Sequence, residues 1–282
     1  MRVHHLNCGS FCPAGGRLFD GHSHGPLGHL VCHCLLIESS SGLILVDTGL
    51  GLRDVAEPQR RLSRFFIALN NIQLREEDTA AAQVRRLGFS PDDVRHIVLT
   101  HLDFDHAGGI EDFPNATLHV TAREKEVADA QQGGTFVSRK RYRPQQWDEA
   151  KDWQLYPMGG GERWFGFDAV RDLAGLPPEI LLVPLAGHTW GHAGVAIRQD
   201  GGEWLLHAGD AYFYRGEVGS EVPERTPGLS GYQKLMEVDR TARLANQDRL
   251  RRLSLDQRGV RMFCAHDQVE FDLLSSRADS RF

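Results

Sequence analysis

The sequence predicts an α/β chain in which two sheets are covered by helices. Three observations carry that expectation. Short apolar runs bounded by turn residues recur and cluster in two halves of the chain. Segments of helical period lie between and after them. The composition is globular, with 41% hydrophobic and 25% charged residues over 282 positions, which is enough chain to bury a large core. No internal repeat or long linker divides it, so one domain spanning 1–282 is expected.

Residues 3–8 and 30–38 read as strands, and 43–47 as a third, joined by a turn at Ser41-Gly42. Between the first two, His22, His24 and His29 fall in a Gly-rich stretch that reads as a solvated loop. Asp78-Thr79 opens a helix over 80–87 that Gly88 stops. A buried strand follows at 94–100, then a strand at 118–121 and a charged helix from 122 to about 131. Residues 132–163 are mixed, and a cover or insertion segment is expected over about 132–170. Strands are expected at 180–184, 194–198 and 203–207. A long helix follows over 233–253, where Leu235, Val238, Ala242, Ala245 and Leu250 recur near helical spacing, and a last strand at 260–264.

Charge and cysteine usage narrow the function classes. Lys+Arg 32 against Asp+Glu 38 leaves a net charge of -6, so no basic field exists for nucleic acid. No apolar run approaches the roughly 18–20 residues of a membrane helix. The first residues turn polar within four positions, unlike a signal peptide, so a cytoplasmic protein is expected. Five cysteines, an odd number, argue against a disulfide framework. The spacing of Cys8, Cys12, Cys32 and Cys34 fits structural zinc patterns poorly, leaving buried thiols.

The chemistry concentrates in Thr100-His101-Leu102-Asp103-Phe104-Asp105-His106-Ala107-Gly108-Gly109, directly after an apolar strand. Four ligand-type side chains lie within six residues, and extended backbone sends alternate ones to one side. Three other strand ends each deliver one more: Gly187-His188, Gly209-Asp210 and Ala265-His266-Asp267. His101, Asp103, Asp105, His106, His188, Asp210 and His266 together suit two first-row divalent ions sharing a carboxylate. His192 is expected to orient a ligand rather than bind metal, and Thr189 to hydrogen-bond a ligand nearby.

This pattern resembles the metallo-β-lactamase-fold hydrolases. Their signature is His-x-His-x-Asp-His, then Gly-His, then an Asp, then a late His, and the match runs over roughly residues 30–270. Val46-Asp47-Thr48-Gly49 resembles the early Asp-Thr-Gly element, with Asp47 orienting a ligand. The resemblance implies a four-layer αββα sandwich and two divalent ions, zinc foremost and manganese or iron as alternatives. One ion would take His101, Asp103, His188 and Asp210, the other Asp105, His106, His266 and the same bridging Asp210. Asp103 stands where the family has its second histidine, so it carries over by position only. The implied reaction is hydrolysis by a metal-bridging hydroxide, with Asp105 relaying a proton to the leaving group.

Within that superfamily the chain most resembles N-acyl homoserine lactonases, through 101–109, Ala265-His266-Asp267 and the early strand pair. This implies a small-molecule lactone or other ester as substrate, and a monomer or homodimer. Those lactonases carry a Tyr three residues after the bridging Asp. Here that position is Phe213, flanked by Tyr212 and Tyr214, each a candidate donor to the developing oxyanion. Trp147, Trp153, Trp164, Phe165 and Phe167 are candidates for an acyl pocket or for the core of the cover segment. Thioester hydrolysis of the glyoxalase II type is an alternative, with Arg139-Lys140-Arg141 and Arg143 holding glutathione carboxylates. A mononuclear iron persulfide dioxygenase is an alternative of another class.

Overall fold

Side-chain alternation along the central strands builds the layers. In a strand buried on both faces, successive residues feed two different cores. Leu35 and Ile37 join one buried cluster, while Cys34 and Leu36 join another on the opposite face. Ile180 and Leu182 likewise separate from Leu181 and Val183. The structure, a computed structural model, describes residues 1–130, 135–136, 140–168, 173–256 and 259–279, with the side chains of 277–279 left aside.

Thirteen strands run in chain order through these residues. They are β1 (Arg2–Phe11), β2 (Leu30–Ser39), β3 (Gly42–Val46), β4 (Ile72–Gln73), β5 (Val94–Val98), β6 (Thr117–Thr121), β7 (Trp153–Tyr156), β8 (Arg163–Trp164), β9 (Phe167–Asp168), β10 (Ile180–Pro184), β11 (Ala193–Arg198), β12 (Trp204–His207) and β13 (Val260–Phe263). The α-helices are α1 (Arg17–Asp20), α2 (Leu52–Ala56), α3 (Pro58–Arg61), α4 (Arg64–Asn70), α5 (Ala80–Arg86), α6 (Ala122–Asp129), α7 (Pro227–Met236), α8 (Arg240–Asp256) and α9 (Gln268–Asp279). A seven-stranded sheet has the order β4-β1-β2-β3-β5-β6-β7, a four-stranded sheet the order β10-β11-β12-β13, and β8-β9 form a ribbon. Parallel pairing joins β3 to β5, β5 to β6, β6 to β7 and β12 to β13.

The two large sheets face each other across Leu35, Ile37, Val46, Val98, Leu182, Val195 and Phe263. The outer face of the larger sheet packs on α5 and α6 through Ala81, Val84 and Val127. That of the smaller packs on α8 through Leu250 and Leu253. Helix, sheet, sheet and helix thus give the expected four layers.

Three features depart from the sequence reading. The helix expected over 233–253 is two helices. Glu237 turns extended after α7, and the N–H groups of Val238 and Asp239 both donate to Gly187 O, at 2.9 and 3.0 Å. Those amides serve a loop contact instead of continuing the helix. Second, α9 was not foreseen, although Asp267 caps it by accepting from Val269 N and Glu270 N and Glu270 stands at the capping-box position. Third, the mixed stretch contributes a sheet strand, β7, paired to β6. No helix among the described residues is long and apolar enough to cross a membrane.

Candidate metal centre

Loops at the ends of β3, β5, β10, β12 and β13 converge on one buried cluster. Two glycines make the convergence possible. A Cβ at Gly108 would collide with Asp54 Oδ2 and Gly49 O, and one at Gly187 with the Arg243 backbone. Gly187 also holds φ at 139°, in the range that disfavours side chains.

All seven ligand candidates come together. Donor atoms of His101, Asp103, His188 and Asp210 lie within 4.8 Å of one another, and so do those of His106, Asp210 and His266. Asp105 joins from the second side, its Oδ2 standing 3.6 Å from His266 Nε2 and 3.9 Å from His106 Nε2. Asp210 sits between the groups. Its Oδ1 is 3.3 Å from His106 Nε2 and 3.2 Å from His266 Nε2, and its Oδ2 is 3.1 Å from His188 Nε2. Cys32, expected only as a buried thiol, forms a third such group with Asp105 and His266. Each of these side chains is buried.

The ring orientations expose the donor nitrogens. Asp47 accepts from Thr100 N, Thr100 Oγ1 and His106 Nδ1 at 2.7–2.8 Å. Thr100 Oγ1 gives its one proton to Asp47 and so accepts from His101 Nδ1 at 2.9 Å. His266 Nδ1 donates to Val31 O at 2.7 Å. With the Nδ1 positions occupied, His101, His106 and His266 direct Nε2 inward. His101 Nε2, His106 Nε2 and Asp210 Oδ1 have no hydrogen-bond partner despite burial. Buried acceptors without a protein partner are costly, and a cation satisfies them. The donor set therefore fits divalent metal.

The electrostatics point the same way. Burial alone would strip charge from these groups, yet neighbouring carboxylates outweigh it at two histidines. Asp210, Asp47 and Asp105 hold His106 well above its usual value, and Asp210 and Asp105 raise His266. At Asp210 burial is likewise overcome, by His266, His106 and His188, and the carboxyl is held well below the usual range. The cluster attracts positive charge, and metal binding there displaces protons.

One position here, Glu124, escaped the sequence reading. Glu124 on α6 is buried and ties three loops together. It accepts from Leu102 N, Gly191 N, Tyr142 OH and Thr189 Oγ1, the last at 2.6 Å. Thr189 thus serves Glu124 rather than a ligand. His192 accepts from Asp210 N at 2.8 Å and donates to Leu185 O, which makes it an orienting residue. Arg141, named in the basic run that would hold glutathione carboxylates, is fully buried. Its Nε lies 2.6 Å from Asp103 Oδ1, and its Nη2 donates to His188 Nε2 at 2.6 Å. Burial opposes the charge on Asp103, but Arg141 and His101 hold its carboxyl well below the usual range.

The tyrosine expectation is corrected. Tyr212 turns into the core beneath β12, and its hydroxyl donates to Glu270 at 3.1 Å. Tyr214 packs over Gly21 and Gly216 and under the Arg215 guanidinium. Neither lines the cavity that opens onto the cluster. That narrow cavity is walled by Phe11, Leu30, Phe104, Phe213, Met236 and Tyr232, with Asn70 beside them and Asp103, Asp105, His188, Asp210 and His266 at its base. Tyr232 comes from α7 and accepts from Asn70 Nδ2 at 3.2 Å. The proposed acyl-pocket aromatics lie elsewhere: Trp147 is in the core under the larger sheet with Trp153 packed against it, and Trp164 and Phe167 are in the core under the smaller one. Phe165 is exposed and packs edge-on to Trp164. Of the basic run, Arg139 lies outside the described residues, Lys140 stacks over Phe136, and Arg143 donates to Arg61 O.

Comparison with known proteins gives concordant results. A family model described as the metallo-beta-lactamase superfamily matches residues 27–248. A probable metallo-hydrolase of Mycobacterium tuberculosis is 40% identical over 99% of this chain and 84% of that protein. An N-acyl homoserine lactonase of Bacillus cereus is 28% identical over 81% of this chain and 86% of its own length. Among solved structures, an N-acyl homoserine lactone hydrolase with N-hexanoyl-L-homoserine at its catalytic metal centre superposes with a TM-score of 0.70 at 22% identity. It covers 96% of this chain and 95% of that one. A dizinc quorum-quenching lactonase, AidC, superposes with a TM-score of 0.60 at 17% identity, over 94% and 88%.

Proposed function

Since the chain belongs to the metallo-beta-lactamase superfamily, we propose that it is a metal-dependent hydrolase opening lactones or related carboxylic esters with an apolar acyl group. The observation that carries this reading is the position of the cluster. Five of its residues, Asp103, Asp105, His188, Asp210 and His266, line a cavity whose other walls are mostly apolar and aromatic. N-acyl homoserine lactones combine an ester with an acyl chain, and lactonases of that substrate are among the chain's relatives.

The proposed ligands are His101, Asp103, His188 and Asp210 for one ion and Asp105, His106, His266 and Asp210 for the other. Zinc is the first candidate; manganese and iron are alternatives. Divalent ions held there supply Lewis acidity and lower the pKa of water. The chain's own groups do the rest. Phe11, Phe104 and Met236 give the cavity an apolar wall that suits an acyl group. Asp105, at the cavity base, carries a proton to the leaving alkoxide. Tyr232 replaces the flanking tyrosines as the phenol facing substrate. Burial and the nearby Asp105 and Asp103 push its hydroxyl up, so it stays protonated and acts as a donor.

The thioester alternative is less favoured, because among the described residues neither Lys nor Arg lines the cavity to hold glutathione carboxylates. The deciding experiment follows proton release from a medium-chain N-acyl homoserine lactone by protein loaded separately with zinc, manganese or iron. A glutathione thioester and oxygen uptake serve as controls. Metal-dependent lactone opening without oxygen consumption is expected. Turnover confined to the thioester, or coupled to oxygen uptake, would overturn the proposal.

A further inference from the structure

We infer that Arg141 is a resident cation competing for the His101–Asp103–His188–Asp210 position, so that this protein loads its two metal positions unequally. The His106–His266 half fills first and the His101–His188 half weakly. This rests on the metal-centre reading above and extends it to the order of loading.

A ring nitrogen has one lone pair. At His188 that pair, on Nε2, accepts from Arg141 Nη2 at 2.6 Å. The same Nε2 is the atom that points at Asp103 Oδ2 and Asp210 Oδ2, 3.0 and 3.1 Å away. It cannot hold a metal ion and the guanidinium proton together. Arginine also does not lose its charge to make way. Its place is fixed by more than this contact, since Nη1 donates to His188 O at 2.8 Å and to Met236 O at 3.0 Å. Nε lies against Asp103 Oδ1 at 2.6 Å, so the carboxylate in the family's histidine position arrives with a partner that neutralises it. A divalent ion entering here must displace a buried, charge-assisted contact.

The other half has no such competitor. His106 and His266 have their Nδ1 atoms tied to Asp47 and to Val31 O, and both Nε2 atoms face Asp210 Oδ1. Among the described residues no Lys or Arg forms an ion pair with Asp105 or Asp210.

The test is a zinc titration of the chelator-stripped full chain, read by calorimetry and by native mass spectrometry rather than by turnover. In the wild type one equivalent should bind about 10- to 100-fold more tightly than the second, the span expected of a charge-assisted contact to a ligand. Arg141→Met should strengthen the second step and leave the first in place. Should Arg141→Met not fold, His188→Ala and His266→Ala discriminate instead: the tight equivalent should survive the first substitution and vanish with the second. Two equivalents of equal affinity in the wild type, or loss of the tight one in His188→Ala, would overturn the inference. Failure of the wild type to bind zinc would overturn it together with the metal-centre reading, and is recognisable as that.

Discussion

The two halves of the cluster use the same kinds of ligand and differ in what stands behind them. His106 leans on a carboxylate, Asp47, and His266 on a carbonyl, Val31 O; both leave Nε2 free. His188 has an unpartnered Nδ1 and an Nε2 taken by Arg141. The comparison teaches that a ligand's identity does not fix its availability; the hydrogen bonds on its other atoms do.

The largest effect should come from the residue common to both halves. Asp210→Asn should reduce kcat/KM more than about 100-fold, beyond the usual cost of losing an outer partner. Circular dichroism should show the fold retained, because Asp210 N stays bonded to His192. Asp47→Asn should act mainly on one half. It should weaken the tight zinc equivalent by about 10- to 100-fold, measured by chelator competition, and the weaker step less, since Asp47 reaches His101 only through Thr100. A smaller effect is expected at the cavity wall: Tyr232→Phe should lower kcat by about tenfold, within the range for a hydrogen-bond donor to developing charge. Tyr212→Phe should leave steady-state kinetics unchanged, since its hydroxyl faces Glu270.

The last prediction concerns stability away from the cluster. Burial and the nearby Asp267 push Glu270 up from 4.5 to about 8. The folded state therefore binds this proton more tightly than the unfolded chain does. Stability from this group is present below about 4.5 and falls as pH rises toward about 8. Glu270→Gln should flatten that slope in a series of thermal melts; an unchanged slope would assign it to another group.

Four of the seven candidate ligands were legible because they are local. His101, Asp103, Asp105 and His106 follow one strand within six positions, and the other ligands each end an apolar strand. The layers were legible for the same reason, since alternation along β2 and β10 sorts residues between cores. Arg141 and Tyr232 were not, because their roles depend on packing across the chain. Arg141 meets His188, 47 positions away, and Tyr232 meets Asn70, 162 positions away. One signal was present. A carboxylate in a histidine's place adds negative charge to a buried site, and such a charge calls for a resident cation. The break between α7 and α8 was hidden because helical spacing continues through Val238, whose amide is spent on Gly187.

The proposed lactone hydrolysis at the buried carboxylate–histidine cluster is tested most directly by the rate of lactone opening, followed by pH-stat, as zinc is added back to stripped protein, with Asp210→Asn in parallel. Turnover that is absent without metal, rises with added zinc and stays near background in Asp210→Asn is the predicted result. Turnover that persists in stripped protein, or survives in Asp210→Asn, would contradict it.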